Sequence, residues 1–438
     1  MGLSEERNLP AEFGADKNVA WKTAVPPGHS SPILIGPRIF LTAIEGEMLV
    51  TICLDRKTGK PLWKKESPRP RREHFQKTNS PASPSPVSDG KLVYVFFGDF
   101  GMLAYDMDGN ERWRQPMGPF NNANGHGSSP ILAGDLLILI CDQDTDSYVI
   151  AMDKQTGKTV WKVERPEVTR GYATPAVYQP SKGGVKELIV PGAYQLISYE
   201  LATGKKLWWV NGMAWQLKCV PIIDGDTIYI NAWEIGGDFE TPPAILTWEE
   251  MLAKYDKNGD QEITLAEAPD QERWMQNNDL NFNKKIEQRD WEFWILHRTA
   301  QNSVLAITPA GRRGDLTKDV MWRYRKSLPN VPSPLLVNNA LFLVKDGGVV
   351  TTLNPKTGEV HKQARVPDAI EQYWASPVSG DGKVYLVSQA CKVSVLKAQP
   401  QWEVIRMNDL DDDCFATPAL LDGGIYLRTR RWFYFFRK

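Results

Sequence analysis

Two acidic stretches of the chain combine the residue types and the spacing that hold a hard cation. The first, Asp256-Lys-Asn258-Gly-Asp260-Gln-Glu262-Ile263-Thr264-Leu-Ala-Glu267, puts side-chain oxygens at its first, third and fifth positions and a carboxylate at its twelfth. The Glu262 carbonyl at the seventh position, and Thr264 directly or through water, complete a cage of oxygens suited to calcium. The second, Asp279-Leu-Asn281-Phe-Asn283-Lys-Lys285-Ile286-Glu287-Gln-Arg-Asp290, repeats the pattern with Asp279, Asn281, Asn283, the Lys285 carbonyl and Asp290.

These loops have EF-hand spacing. They follow a helical pattern over 247–255, precede an aromatic helical pattern over 291–296, and carry Ile263 and Ile286 at matching positions, which predicts a paired EF-hand. Both depart from the rule at the sixth position, where glycine ordinarily takes the sharp turn and Gln261 and Lys284 stand. Asp290 also has a shorter reach than the usual bidentate glutamate. The alternative is a metal-free helix pair that only packs.

A second set of chemically varied residues gathers in short segments ahead of a recurring proline. They read Gly28-His29, Gln76-Lys77-Thr78-Asn79, Asn121-Asn122-Ala-Asn124-Gly-His126, Arg170-Gly-Tyr172, Trp215-Gln216-Leu-Lys218, Glu371-Gln372-Tyr373-Trp374 and Asp411-Asp412-Asp413-Cys414-Phe415. His29 and His126 are candidate acid–base groups, and Arg170 and Tyr172 could meet an anionic or carbonyl oxygen. Asn79, Asn124, Lys218 and Trp374 could hold a cofactor or polar ligand. Each has a plainer role: the histidines can bond neighbouring loop backbones, Asn122-Ala-Asn124-Gly125 can be a turn, Tyr373-Trp374 can be core, and 411–413 can be a solvated loop.

The elements that must position these residues come from a repeat of about 45 residues. Its proline falls at Pro32, Pro86, Pro130, Pro175, Pro221, Pro334, Pro377 and Pro418. Its other end reads Asp55-Arg-Lys-Thr-Gly59-Lys-Pro-Leu-Trp63, Asp106-Met-Asp-Gly109-Asn-Glu-Arg-Trp113, Asp153-Lys-Gln-Thr-Gly157-Lys-Thr-Val-Trp161 and Glu200-Leu-Ala-Thr-Gly204-Lys-Lys-Leu-Trp208. The acidic residue and glycine make a tight hairpin, and the tryptophan lands at a fixed place on the last strand, where it wedges neighbouring sheets. The sixth unit has Lys362 where tryptophan is expected. Four short antiparallel strands per unit, arrayed radially, predict an all-β, eight-bladed β-propeller. The eighth unit lacks its fourth strand, so Asn18-Val-Ala-Trp21 is expected to supply it and close the ring. The reading divides the chain into an extension over 1–17, propeller over 18–235, insertion over 236–300 and propeller over 301–438. The insertion falls between the second and third strands of unit five, so it should overhang the face where the inner strands begin.

The repeat resembles that of the quinoprotein-like eight-bladed propellers, the pyrroloquinoline-quinone (PQQ) repeat superfamily, over roughly 19–438. That resemblance implies export to the periplasm or beyond and admits three functions. One is a PQQ-dependent dehydrogenase, disfavoured because its alcohol-dehydrogenase branch carries an adjacent cysteine pair that this chain lacks. One is a protein-docking scaffold in the manner of the assembly lipoprotein BamB, and one is a propeller acting on carbohydrate. A calcium-binding propeller whose axial funnel takes a polar small molecule or saccharide is the expectation.

Composition excludes other classes. The net charge of -1 offers no basic field for nucleic acid, and no apolar run approaches the ~20 residues of a membrane span. Met1-Gly-Leu-Ser-Glu-Glu-Arg lacks the apolar core of a signal peptide, which by itself implies the cytoplasm where the resemblance implies export. Cys53, Cys141, Cys219, Cys391 and Cys414 lie far apart and in or beside predicted strands, so buried free thiols are expected.

Overall fold

The computed structural model describes residues 2–239, 241 and 243–438. In the first unit Ile33–Ile35, Arg38–Glu45, Met48–Asp55 and Pro61–Ser67 pair antiparallel in that order. Middle strands are apolar on both faces because neighbouring sheets cover both, so Leu92–Phe97 is buried end to end. Outer strands face solvent on one side, and Glu111–Pro116 alternates exposed and half-buried residues. Repetition of this sheet gives an eight-bladed β-propeller. The last blade closes as expected: Val19–Ala24 pairs with Trp432–Arg437, outside Gly424–Arg428 and Ala419–Leu421. Ahead of that strand, Leu9 and Phe13 are buried with Tyr385, Tyr434 and Phe436 between blades seven and eight.

Two contacts repeated from blade to blade explain the motif. The turn glycines Gly59, Gly109 and Gly157 have φ of 72, 84 and 70°, and each lies against the tryptophan of the preceding blade. A Cβ would meet Trp21 at 2.4 Å, Trp63 at 2.8 Å and Trp113 at 2.5 Å, respectively. In two of the three the indole N–H also donates to a carbonyl of the same turn, Trp63 to Met107 at 2.9 Å and Trp113 to Lys154 at 3.0 Å. Glycine is thus required both for positive φ and for the ring's approach. Blade six, lacking its tryptophan, borrows one from the other side: Trp402 of blade seven is 2% exposed, with Lys362 Nζ 4.5 Å from its ring centre.

The residue before each proline forms the second contact. The Ser31 N–H donates to Ser85 Oγ, Ser85 to Ser129, and Ser129 to Thr174. Beyond one gap the series resumes with Val220 to Ser333, Ser333 to Ser376, Ser376 to Thr417, and Thr417 back to Ser31. Each hydroxyl satisfies the amide of the neighbouring blade, so the ring is stitched around its axis. The gap lies between Thr174 and Val220, the position without a hydroxyl.

Blade five carries the insertion. Thr227–Ala232 pairs with Ser303–Ile307, and among the described residues between them lie three α-helices: α1 (Trp248–Tyr255), α2 (Glu272–Asn278) and α3 (Gln288–Thr299). The link from Ile307 to the outer strand Trp322–Tyr324 also detours. Its Gly314–Asp315 adds a fifth, parallel strand to blade four beside Trp208–Trp209.

The cysteine expectation is corrected in part. Cys53, Cys141 and Cys219 are buried free thiols, but Cys391 and Cys414 form a disulfide with Cα atoms 4.9 Å apart. Distance along the sequence misleads here, because Cys391 leaves a hairpin of blade seven where Cys414 approaches the proline phrase of blade eight.

Candidate functional site

Counting back from each proline, every unit repeats one burial pattern. The residues one and three positions before proline are half-buried, and the proline and the residue two before it are buried. Period-two alternation therefore presents two layers to the axis. The nearer layer is the stitched hydroxyl ring. The outer layer, three residues before proline, is variable: His29, Ser83, Gly127, Tyr172, Lys218, Val331, Trp374 and Phe415.

Contacts join much of this outer layer into one belt. His29 stacks on Phe415 with ring centres 4.0 Å apart, and Phe415 lies 6.2 Å from Trp374, whose indole N–H donates to Gln389. On the other side of His29, Ser83 Oγ lies 3.5 Å from Nδ1 and donates to Asn79 Oδ1 at 2.6 Å. Asn79 Nδ2 donates to the Asn124 carbonyl at 2.8 Å, and Asn124 Nδ2 to Tyr172 Oη at 2.8 Å and Gln216 Oε1 at 3.3 Å. Tyr172 Oη in turn donates to Asn122. One arc is therefore aromatic, Trp374, Phe415 and His29, and the facing arc is amide and hydroxyl.

Arg170 and Lys218 beside the belt are paired with carboxylates, whereas buried Arg428 near His29 donates, among the described residues, only to Ser30, Thr42 and Pro26 oxygens. Arg170 makes a bidentate contact with buried Asp144 at 2.7 and 2.8 Å and lies over Trp215, and Lys218 Nζ is 3.5 Å from Glu234. Burial, then Arg428 and Arg430, push the His29 pKa down to about 4, so its imidazole is neutral at pH 7. His126 lies outside the belt, 3% exposed between Phe96 and Phe120. Its ring nitrogens meet no hydrogen-bond partner. Burial pushes its pKa down to about 4, against a smaller upward pull from the Ile140 backbone. Of the eight residues singled out for chemistry or ligand binding, the structure gathers His29, Asn79, Asn124, Tyr172 and Trp374, ties Arg170 and Lys218 into ion pairs, and buries His126.

A cavity of about 410 Å³ opens on blades seven and eight, lined by Glu371, Ala390, Lys392, Asp409, Asp411, Asp412 and Asp413. Asp412 meets Arg431, Asp413 meets Arg430 and Glu371 meets Lys392.

In the insertion the two acidic loops sit side by side: Ile263 pairs with Ile286, and Thr264 with Lys285. Ligand oxygens of Asp256, Asp260 and Glu267 lie within 4.8 Å of one another. The Asp256 carboxylate accepts from the Gly259 and Gln261 amides, Asp260 from that of Glu262, and Glu267 from Lys257 and Thr264. Asn258 Nδ2 bonds Asp260. In the second loop Asp279 accepts from Asn283 and Lys284, and Asn281 and Asn283 both donate to Glu287. Asp290 accepts from Leu280 and Glu287, and burial raises its pKa. Glu262 and the Lys285 side chain form an ion pair across the loops. Gln261 and Lys284 hold φ of 64 and 66°, the left-handed turn that glycine would take. Carboxylate density therefore favours the first loop for a divalent cation.

The segments drawn from sequence omitted Ser83 and named Gln216 and Phe415 without a role. A fixed count of three residues before each proline would have found Ser83 and Phe415, as it does His29, Tyr172, Lys218 and Trp374. Nothing in the repeat marks Gln216.

The family model described as outer membrane protein assembly factor BamB matches residues 11–237 and 145–429. No curated protein matches the sequence. Among solved structures, BamB from Moraxella catarrhalis superposes with a TM-score of 0.59 at 12% identity, covering 96% of this chain and 98% of its own. A europium-containing methanol dehydrogenase gives 0.61 at 9% identity, covering 97% and 87%. The quinohemoprotein alcohol dehydrogenase from Comamonas testosteroni gives 0.58 at 10% identity, covering 99% and 78%. At such identities the likeness is one of fold.

Proposed function

The chain belongs to the family described as outer membrane protein assembly factor BamB, and from that premise we propose that it is an exported propeller with calcium in its inserted loops and a polar small molecule in its axial funnel. A neutral saccharide is the class the lining fits. The observation that carries this reading is the belt: three flat rings face an arc of amides and hydroxyls, and the cations Arg170 and Lys218 beside it are already paired. A pyranose has one apolar face to stack and a periphery of hydroxyls to bond. The Cys391–Cys414 disulfide supports export, since such bonds persist in oxidising compartments. Among the described residues no helix is long and apolar enough to cross a membrane.

PQQ fits these residues poorly. It bears carboxylates, five of the seven residues lining the cavity on blades seven and eight are carboxylates, and Arg170 and Lys218 are committed to Asp144 and Glu234. The disulfide joins residues 23 apart rather than neighbours. A second reading, a docking scaffold for a protein partner, is favoured by the family match and by a BamB fold covering nearly the whole chain.

A glycan array spanning neutral, acidic and amino sugars, followed by calorimetry on the best binder, tests the choice. Binding confined to neutral glycans, weakened at least tenfold by Trp374→Ala, about 1.4 kcal/mol, is the expected result. Absence of glycan binding by the folded protein would overturn the saccharide site and leave the docking surface. Tight PQQ binding would overturn the argument from charge.

A further inference from the structure

The insertion does not merely overhang the ring; it grips the loops that hold the belt at two points. At the first, α3 sets His297 against Trp215 with ring centres 4.2 Å apart, and Phe293 against Tyr194 at 5.9 Å. Trp215 lies 5.0 Å from the Arg170 guanidinium, which clamps Asp144. At the second, the Leu280 carbonyl of the second acidic loop accepts from Asn121 Nδ2 at 3.2 Å. The two points converge. The Asp144 amide donates to the Asn121 carbonyl at 2.8 Å, and its carboxylate accepts from the Ala123 amide. The segment so held supplies Asn122 and Asn124, the partners of Tyr172 in the belt.

The grip is continuous with the acidic loops. Leu280, whose carbonyl holds Asn121, gives its N–H to Asp290, the twelfth residue of its loop and part of the first turn of α3. The first loop joins through the Ile263–Ile286 pair and the Glu262–Lys285 ion pair. Within the insertion, Trp291, Trp274 and Trp294 meet edge to face at 5.4 and 5.9 Å, and Trp294 meets His297 at 6.0 Å. Packed aromatic rings pass a displacement on rather than absorb it.

We infer that the insertion is a cation-responsive clamp on the funnel: a divalent cation in the acidic loops fixes α3, and α3, through Trp215, Arg170 and Asp144, fixes the amide arc around Tyr172. The inference rests on the calcium reading of the loops and adds to it a regulation of the ring site. The cation binds only residues of the insertion, so any change in segments 121–126, 169–173 and 214–218 must arrive through these contacts or through the strand ends that carry the insertion, where Glu234 meets Lys218.

Hydrogen exchange by mass spectrometry on the full chain, with calcium alone as the probe, tests it. Calcium in place of a chelator should slow exchange about fivefold or more in those three ring segments as well as in loops 256–267 and 279–290, the lower range of ordinary coupling between sites. Trp215→Ala, and as a milder cut His297→Ala, should bind calcium with unchanged stoichiometry by calorimetry and protect the loops while losing the ring response. Calcium binding with protected loops and an unchanged ring in the wild type would overturn the clamp and leave the loop reading intact. No calcium binding at millimolar concentration would overturn the loop reading first, and the clamp with it.

Discussion

Val220→Thr should make this protein more stable, because it fills the one gap in the hydroxyl ring. In seven of the eight junctions an amide before proline donates to a hydroxyl of the next blade, at 2.9 to 3.1 Å. Thr174 alone among the described members of that series faces a valine. Threonine has the shape of valine, so its Oγ1 can turn toward the Thr174 N–H without displacing neighbours, and the Val220 N–H keeps its bond to Ser333. A net intramolecular hydrogen bond contributes about 1 kcal/mol, and relieving a partly buried amide left unmet can add about as much again. In a chain of this length that raises Tm by only about 1 °C per kcal/mol, so the sharper assay is site-resolved amide exchange. The Thr174 amide should exchange faster in the wild type than those of Ser31, Ser85, Ser129, Ser333, Ser376 and Thr417, and should join them in Val220→Thr. Ser129→Ala should do the converse at Ser85, at a cost of about 1 to 2 kcal/mol. If Thr174 is already as protected as the other six, or Val220→Thr destabilises, the ring does not stitch the blades together.

His126→Phe should flatten the acid limb of the stability curve. The histidine's pKa is held near 4 in the folded chain against about 6.5 unfolded, so unfolding takes up a proton between those values. Stability from this group is therefore whole above pH 6.5 and falls as pH drops toward 4, by about 2 kcal/mol at pH 5. Urea unfolding at pH 7 and pH 5 should show a difference smaller by that amount in the variant, and an unchanged difference would refute the burial argument. Gln261→Gly should relieve a left-handed residue in the first acidic loop and tighten calcium by a few-fold to tenfold, since that backbone conformation costs a residue with Cβ about 1 kcal/mol. Calorimetric titration checks it, and weaker calcium binding would show that Gln261 serves the loop in some other way.

The fold was legible because it is periodic. A strand in an eight-fold ring has the same neighbours each time, so the same residue solves the same problem, and Gly59, Gly109 and Gly157 each meet a tryptophan from the blade before. Even the lapse at Lys362 was visible, though not its remedy, because Trp402 reaches back from the next blade and only packing in three dimensions shows that. The disulfide escaped for the same reason: Cys391 and Cys414 belong to different blades, and loop approach across a junction leaves no mark in spacing.

The site was half legible, and the division is physical. Position relative to the repeat fixes which residues face the axis, so His29, Tyr172 and Trp374 could be chosen from sequence. Whether a side chain is available depends on partners that the repeat does not encode. Arg170 looks like an anion receptor until Asp144, on a hairpin of blade three, is found to hold its Nε and Nη2. His126 looks like the counterpart of His29, but it precedes its proline by four residues rather than three. In a segment that alternates with period two, that one-residue difference turns the imidazole away from the axis and into the apolar layer between Phe96 and Phe120. One residue of register thus separates a histidine that can meet a ligand in the funnel from one that acts on stability alone.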